Sequence, residues 1–170
     1  MLNLIIGGAG SGKSAFAEEL VCRLSGPRVY LATMEAPDAE SCAKIARHRA
    51  QRAPYGFTTV ERCTDLAGAA IPSGANVLLE DLANLLANEM FSENGGGADA
   101  VRRGLTSVRK RAASLTIVTN ELFSVGAEYA GETLAYLREL ACLNRELAAR
   151  ADLAVEVVCG LPHVLKGELP

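Results

Sequence analysis

The eight residues Gly7-Gly8-Ala9-Gly10-Ser11-Gly12-Lys13-Ser14 match the pattern G-x-x-x-x-G-K-[ST] at every fixed position. No other stretch constrains the fold as tightly, because such a loop works only between the end of a buried strand and the start of a helix. Both flanks fit: Leu2 to Ile6 is an apolar run, and Lys13 to Leu24 has helical periodicity. Glycines without a Cβ let the backbone wrap phosphate oxygens with its N–H groups, and the helix N-terminus adds the positive end of its dipole. Lys13 is then expected to reach the β- and γ-phosphates as a catalytic cation, and the Ser14 hydroxyl to ligate Mg²⁺. A glycine-rich turn with no ligand would leave the Lys-Ser pair unexplained.

The rest of the chain repeats the same alternation. Val29–Ala32, Val77–Leu79, Leu115–Thr119 and Leu153–Val158 are short runs rich in Val, Ile and Leu, as in strands buried on both faces of a parallel sheet. Between them, Ala39–Arg52, Leu82–Phe91, Asp99–Ala113 and Glu132–Ala151 carry helical periodicity. The expectation is an α/β fold of the P-loop NTPase type, a mostly parallel sheet with helices on both faces, formed by residues 1–170 as one domain. The glycine and proline clusters at Gly26-Pro27, Pro54-Tyr55-Gly56, Pro72-Ser73-Gly74 and Gly95-Gly96-Gly97 are too short to be interdomain linkers.

Composition narrows the class of function. With 49% hydrophobic and 22% charged residues the chain can build a core. A formal charge of −3 argues against coating nucleic acid or an anionic membrane. Five scattered cysteines without a C-x-x-C suit a reducing compartment better than a disulfide framework or a zinc site. No run reaches the roughly 18 apolar residues of a membrane span, and Leu2–Ile6 is too short for a signal peptide. A cytoplasmic protein is expected.

Two further groups suggest chemistry. Glu80 and Asp81 follow the buried run Val77–Leu79, where a phosphate-loop enzyme holds its metal or the water around it. Glu80 is the preferred ligand, with Asp81 the alternative. His48 lies in Lys44-Ile45-Ala46-Arg47-His48-Arg49-Ala50-Gln51-Arg52, where helical spacing stacks Lys44, His48 and Arg52 on one face. Such a face is either a solvated basic surface or a phosphate-contacting one whose imidazole acts as base or nucleophile; neighbouring cations favour the neutral, nucleophilic form. The second basic helix, with Arg102, Arg103, Arg109, Lys110 and Arg111, lacks a histidine and reads as a solvated face. His163 reads as structural.

In order and spacing, the phosphate loop, Tyr30-Leu31-Ala32-Thr33, the His48 helix, Thr59-Val60-Glu61, Leu78-Leu79-Glu80-Asp81, Val118-Thr119-Asn120-Glu121 and Leu143-Asn144-Arg145-Glu146 form a more specific set. With it the chain resembles the bifunctional adenosylcobinamide kinase/adenosylcobinamide-phosphate guanylyltransferases of cobalamin biosynthesis, from Leu4 to about Gly160. The resemblance implies a RecA-like fold, ATP and GTP as substrates, and phosphorylation of adenosylcobinamide. It then implies transfer of GMP from GTP, through a guanylylated His48, to adenosylcobinamide phosphate. It places nucleotide contacts at Gly7 to Ser14, at Ala32, Thr33 and Met34, at Arg49, Ala50, Gln51 and Arg52, and at Glu61 and Glu80. It also implies a homotrimer.

The chain departs from the family pattern at Gly10, along Leu122 to Gly131, and at Cys142. The N-K-x-D signature of small GTPases is missing, so guanine selection must rest on other groups, with Glu61 a candidate. Two other readings stand beside the bifunctional one. The first is a phosphate-loop kinase without guanylyl transfer, and the second a non-catalytic RecA-like nucleotide-binding module.

Overall fold

A computed structural model describes residues 1–34, 53–123 and 129–170. Seven strands form one sheet: β1 (Leu2–Gly7), β2 (Arg28–Ala32), β3 (Phe57–Glu61), β4 (Asn76–Glu80), β5 (Ser114–Asn120), β6 (Leu153–Val158) and β7 (Leu161–Lys166). Their order is β3-β2-β4-β5-β1-β6-β7, parallel throughout except for the antiparallel β6–β7 hairpin. The strand carrying the phosphate loop, β1, and the strand ending in Glu80, β4, are thus separated by β5 alone. This is the expected P-loop α/β arrangement, a mostly parallel sheet.

The described helices are α1 (Lys13–Cys22), α2 (Leu82–Phe91), α3 (Gly97–Arg111) and α4 (Gly131–Arg150). Alternate residues of the buried strands face opposite layers. Ile5, Leu78, Val118 and Val155 pack with Ala17, Leu20 and Val21 of α1. Leu4, Leu79, Leu115 and Ile117 pack on the other face with Leu85 and Leu86 of α2, Leu105 of α3 and Leu143 of α4. Helices therefore cover both faces, as the apolar runs predict.

Four of the five predicted strands extend a residue beyond one or both ends of their apolar runs, since pairing with a neighbour continues past the last apolar side chain. Two strands lie outside those runs. β3 is an edge strand with mixed burial, and all six residues of β7 are exposed. His163 belongs to that edge hairpin, 4.0 Å from Glu156 across the turn. The basic helix α3 is not simply a solvated face: Arg102 reaches Glu146 of α4 at 3.0 Å, and Arg111 donates to the carbonyls of Ala69 and Ala67 at 2.7 and 3.1 Å. These cations join elements together.

Candidate active site

Every parallel strand ends at the same edge of the sheet, where open α/β sheets hold their ligands. Gly7, Ala32, Glu61, Glu80 and Asn120 are the last residues of β1 to β5. Register confirms the alignment, with Ala32 opposite both Glu61 and Glu80, and Gly7 opposite Asn120.

The phosphate loop turns from β1 into α1 through Gly10 and Gly12, at φ 68° and 91°. Left-handed backbone of this kind favours glycine. No side chain caps α1, so its first N–H groups stay available to an anion. The Lys13 side chain is buried and folds back over the loop, Nζ donating to the Gly8 carbonyl at 3.1 Å. On the outer side the β6–β7 turn braces the loop, Gly160 N–H donating to the Ser11 carbonyl at 2.8 Å.

The Ser14 hydroxyl donates to Glu80 Oε1 at 2.6 Å. The other carboxylate oxygen, Oε2, is buried and has no hydrogen-bond partner among the described residues. Burial pushes the Glu80 carboxyl up to about 7; the Ser14 hydrogen bond works against this and the nearby Asp81 charge adds to it. Asp81 has a different task. Its Oδ1 accepts from Asn84 N–H at 2.7 Å and caps α2, and its Oδ2 accepts from Asn120 Nδ2 at 3.0 Å. Burial raises the Asp81 carboxyl as well, against those hydrogen bonds. Of the two acids, Glu80 is the one turned to the phosphate loop.

Thr33 continues β2 into this network. Its hydroxyl accepts from Asp81 N–H at 2.8 Å and lies 2.8 Å from the Asp81 carbonyl, an acceptor for its own proton. The Thr33 carbonyl accepts from Asn88 Nδ2 at 2.8 Å, and the same amide donates to the Cys63 carbonyl at 3.1 Å. Asn88 therefore ties the chain after β2 to the chain after β3. Motif spacing gives no sign of Asn88; the available signal is an amide two turns after the Asp81 cap, one of two on a mostly apolar helix. Asn120 was visible as a polar residue closing a buried strand.

The structure thus brings Gly7–Ser14, Ala32–Met34, Glu61 and Glu80 to one edge. Glu61 ends the edge strand, two strands from Glu80. His48, Arg49, Ala50, Gln51 and Arg52 lie outside the described residues, as do residues 124–128 of the segment that departs from the family pattern.

The bifunctional adenosylcobalamin biosynthesis protein CobP of Pseudomonas aeruginosa is 32% identical over 172 residues, covering 99% of each chain. The corresponding protein CobU of Escherichia coli is 31% identical over 185 residues, covering 98% of this chain and all of that one. Among solved structures, the P4 protein of bacteriophage phi6 in complex with ADP is 14% identical, at a TM-score of 0.45 over 95% of this chain and 52% of that one. The family model for cobinamide kinase/cobinamide phosphate guanyltransferase matches residues 3–165, and the chain belongs to that family.

Proposed function

We propose that this chain performs both reactions of its family at one nucleotide site, with the Ser14–Glu80 pair, Lys13 and His48 in separate roles. The contact between Ser14 and Glu80, with Glu80 Oε2 left unpartnered beside the buried Lys13, is the observation that carries the reading. A hydroxyl and a buried carboxylate at the mouth of a phosphate loop form a hard-oxygen pair that suits Mg²⁺. When bound there, the ion would neutralise polyphosphate charge.

In the kinase step, the loop N–H groups hold the triphosphate of ATP or GTP. The aminopropanol hydroxyl of adenosylcobinamide attacks the γ-phosphorus, the nucleoside diphosphate leaves, and the hydroxyl proton is released to solvent. Lys13 neutralises charge on the phosphate oxygens as the bond breaks. In the guanylyl step, a neutral imidazole nitrogen of His48 attacks the α-phosphorus of GTP and pyrophosphate leaves, giving a phosphoramidate. The phosphate of adenosylcobinamide phosphate then attacks that phosphorus, forming adenosylcobinamide-GDP and freeing His48. Splitting one transfer into two displacements is the reason to use a nucleophile. Arg49 to Arg52, Ala32 to Met34 and Glu61 are assigned to nucleotide contacts on the resemblance, supported for the described ones by their place at the ligand edge. A cytoplasmic homotrimer belongs to the same proposal.

The test is incubation with Mg²⁺ and GTP labelled on the α-phosphate, with His48→Ala alongside. Acid-labile, alkali-stable label on the wild-type protein and none on the variant is expected. Absence of protein-bound label together with absence of pyrophosphate release overturns the histidine mechanism. Transfer of γ-label to adenosylcobinamide in that same case would favour the kinase-only reading.

A further inference from the structure

The sheet has a second opening at the edge opposite the phosphate loop. A cavity of about 190 Å³ lies between the C-terminal halves of α3 and α4, above the first residues of β1 and β5. Its walls are Leu2, Leu105, Leu115, Ile117, Leu143 and Leu147, each buried or nearly so. Along β1 the distance from Leu2 to Gly7 is about 17 Å at the usual strand rise, so this cavity is separate from the nucleotide edge.

Native interiors rarely leave voids larger than a water molecule, and an apolar void offers water no partners. The mouth is as distinctive as the walls. Arg109 and Lys110 come from α3 and Arg150 from α4, and none of the three makes a salt bridge among the described residues. The fourth cation at the cavity, Arg102, is already matched by Glu146 and Glu139. Helix α3 carries five basic residues and one acidic residue, against −3 for the whole chain. Positive charge is therefore concentrated along α3 of an acidic protein. An apolar cavity with a few converging polar groups is the usual form of a small-molecule site.

We propose that the cleft between α3 and α4 binds a small anionic amphiphile, a compact apolar body with one carboxylate or phosphate head. The body replaces the void under Leu105 and Leu147. The head meets Arg109, Lys110 and Arg150; Glu146, which also lines the cavity, is hydrogen-bonded to Arg102 and acts on Arg150 only through its charge.

Octanoate and its neutral counterpart octanol are the probes, titrated calorimetrically into the intact protein with and without saturating GTP. Octanoate is expected to bind once per chain, about tenfold or more tighter than octanol, with no competition from GTP. The double variant Arg109→Gln/Arg150→Gln should lose that preference while still admitting the chain. Thr106→Trp, an exposed position at the mouth, should block both ligands. Equal affinity for octanol, displacement by GTP, unaltered binding in both variants, or no binding at millimolar octanoate overturns the proposal. So does a finding that the double variant breaks up a self-associated species, which would assign the cleft to a second copy of this chain.

Discussion

Ser14 and Glu80, 66 positions apart, meet at 2.6 Å because β1 and β4 stand on either side of β5 and run parallel to it, bringing both C-terminal ends to one edge of the sheet. The sheet order delivers an acid from one strand to a loop on another, and Asp81, one residue later, is left to cap α2. The two carboxylates differ in geometry, so their replacements should differ in effect. Glu80→Gln is expected to weaken apparent Mg²⁺ affinity in GTP binding by at least about tenfold while leaving metal-free nucleotide binding nearly unchanged. Asp81→Ala should instead lower stability through loss of the α2 cap, by about 1 kcal/mol. GTP titrations at graded Mg²⁺, set against urea unfolding, separate the two. Equal loss of metal affinity in both variants would defeat the assignment.

The Glu80 carboxyl has a second consequence, in the ligand-free protein. Its folded value of about 7 lies above its ordinary 4.5, so between those pH values the folded chain binds more protons than the unfolded one. Stability from this group is fully present below about pH 4.5, falls as the pH rises through 7, and then levels off. The span is at most about 3 kcal/mol. Asp81, raised in the same direction by burial, adds to the slope. Urea midpoints of metal-free protein should therefore fall between pH 5 and 8, and Glu80→Gln should flatten that dependence. A wild-type midpoint that rises over this range would contradict the burial of Glu80.

How far the sequence discloses this arrangement depends on what each residue advertises. The phosphate loop announces itself by type and spacing, and α2 runs from Leu82 to Phe91 as its periodicity predicts. Edge strands do not. β3 and β7 bury too little to show a continuous apolar run, and Pro162 within β7 is tolerated because it lies at the sheet edge. The choice between Glu80 and Asp81 could not be made from neighbouring positions, because it depends on which way two successive side chains leave β4. Arg102 looks like any helix-surface cation until α4 supplies Glu146, 44 residues later. Long-range partners of this kind leave no local pattern.

Asn88 provides a test of how the nucleotide edge is held. Its amide donates to the Thr33 and Cys63 carbonyls, joining the segments after β2 and β3 that end in the candidate contacts Ala32–Met34 and Glu61. Asn88→Ala leaves two carbonyls without that donor, at a cost of about 1–3 kcal/mol. If Asn88 positions those segments for the nucleotide, KM for GTP should rise several-fold with kcat little changed. Lower stability with KM unchanged would confine Asn88 to a structural role.

Gly7 is the position at which the loop and the sheet constrain each other most closely. A Cβ there would stand 2.5 Å from Ser11 Oγ and 2.6 Å from the Val157 carbonyl oxygen of β6. The serine can rotate away, but the carbonyl belongs to a central strand paired with β1 and cannot. Gly8, one residue on, has open space where its Cβ would go. Gly7→Ala should therefore lower the stability of the ligand-free protein by about 1–3 kcal/mol, a fall of about 3–10 °C in melting temperature, whereas Gly8→Ala should leave it nearly unchanged. The strain in Gly7→Ala must be relieved by shifting the loop away from β6, so the added stability normally conferred by GTP with Mg²⁺ should shrink in that variant. Melting curves of the two variants with and without GTP and Mg²⁺ check both effects. Equal ligand-free melting temperatures for Gly7→Ala and Gly8→Ala would mean that β6 does not brace the loop.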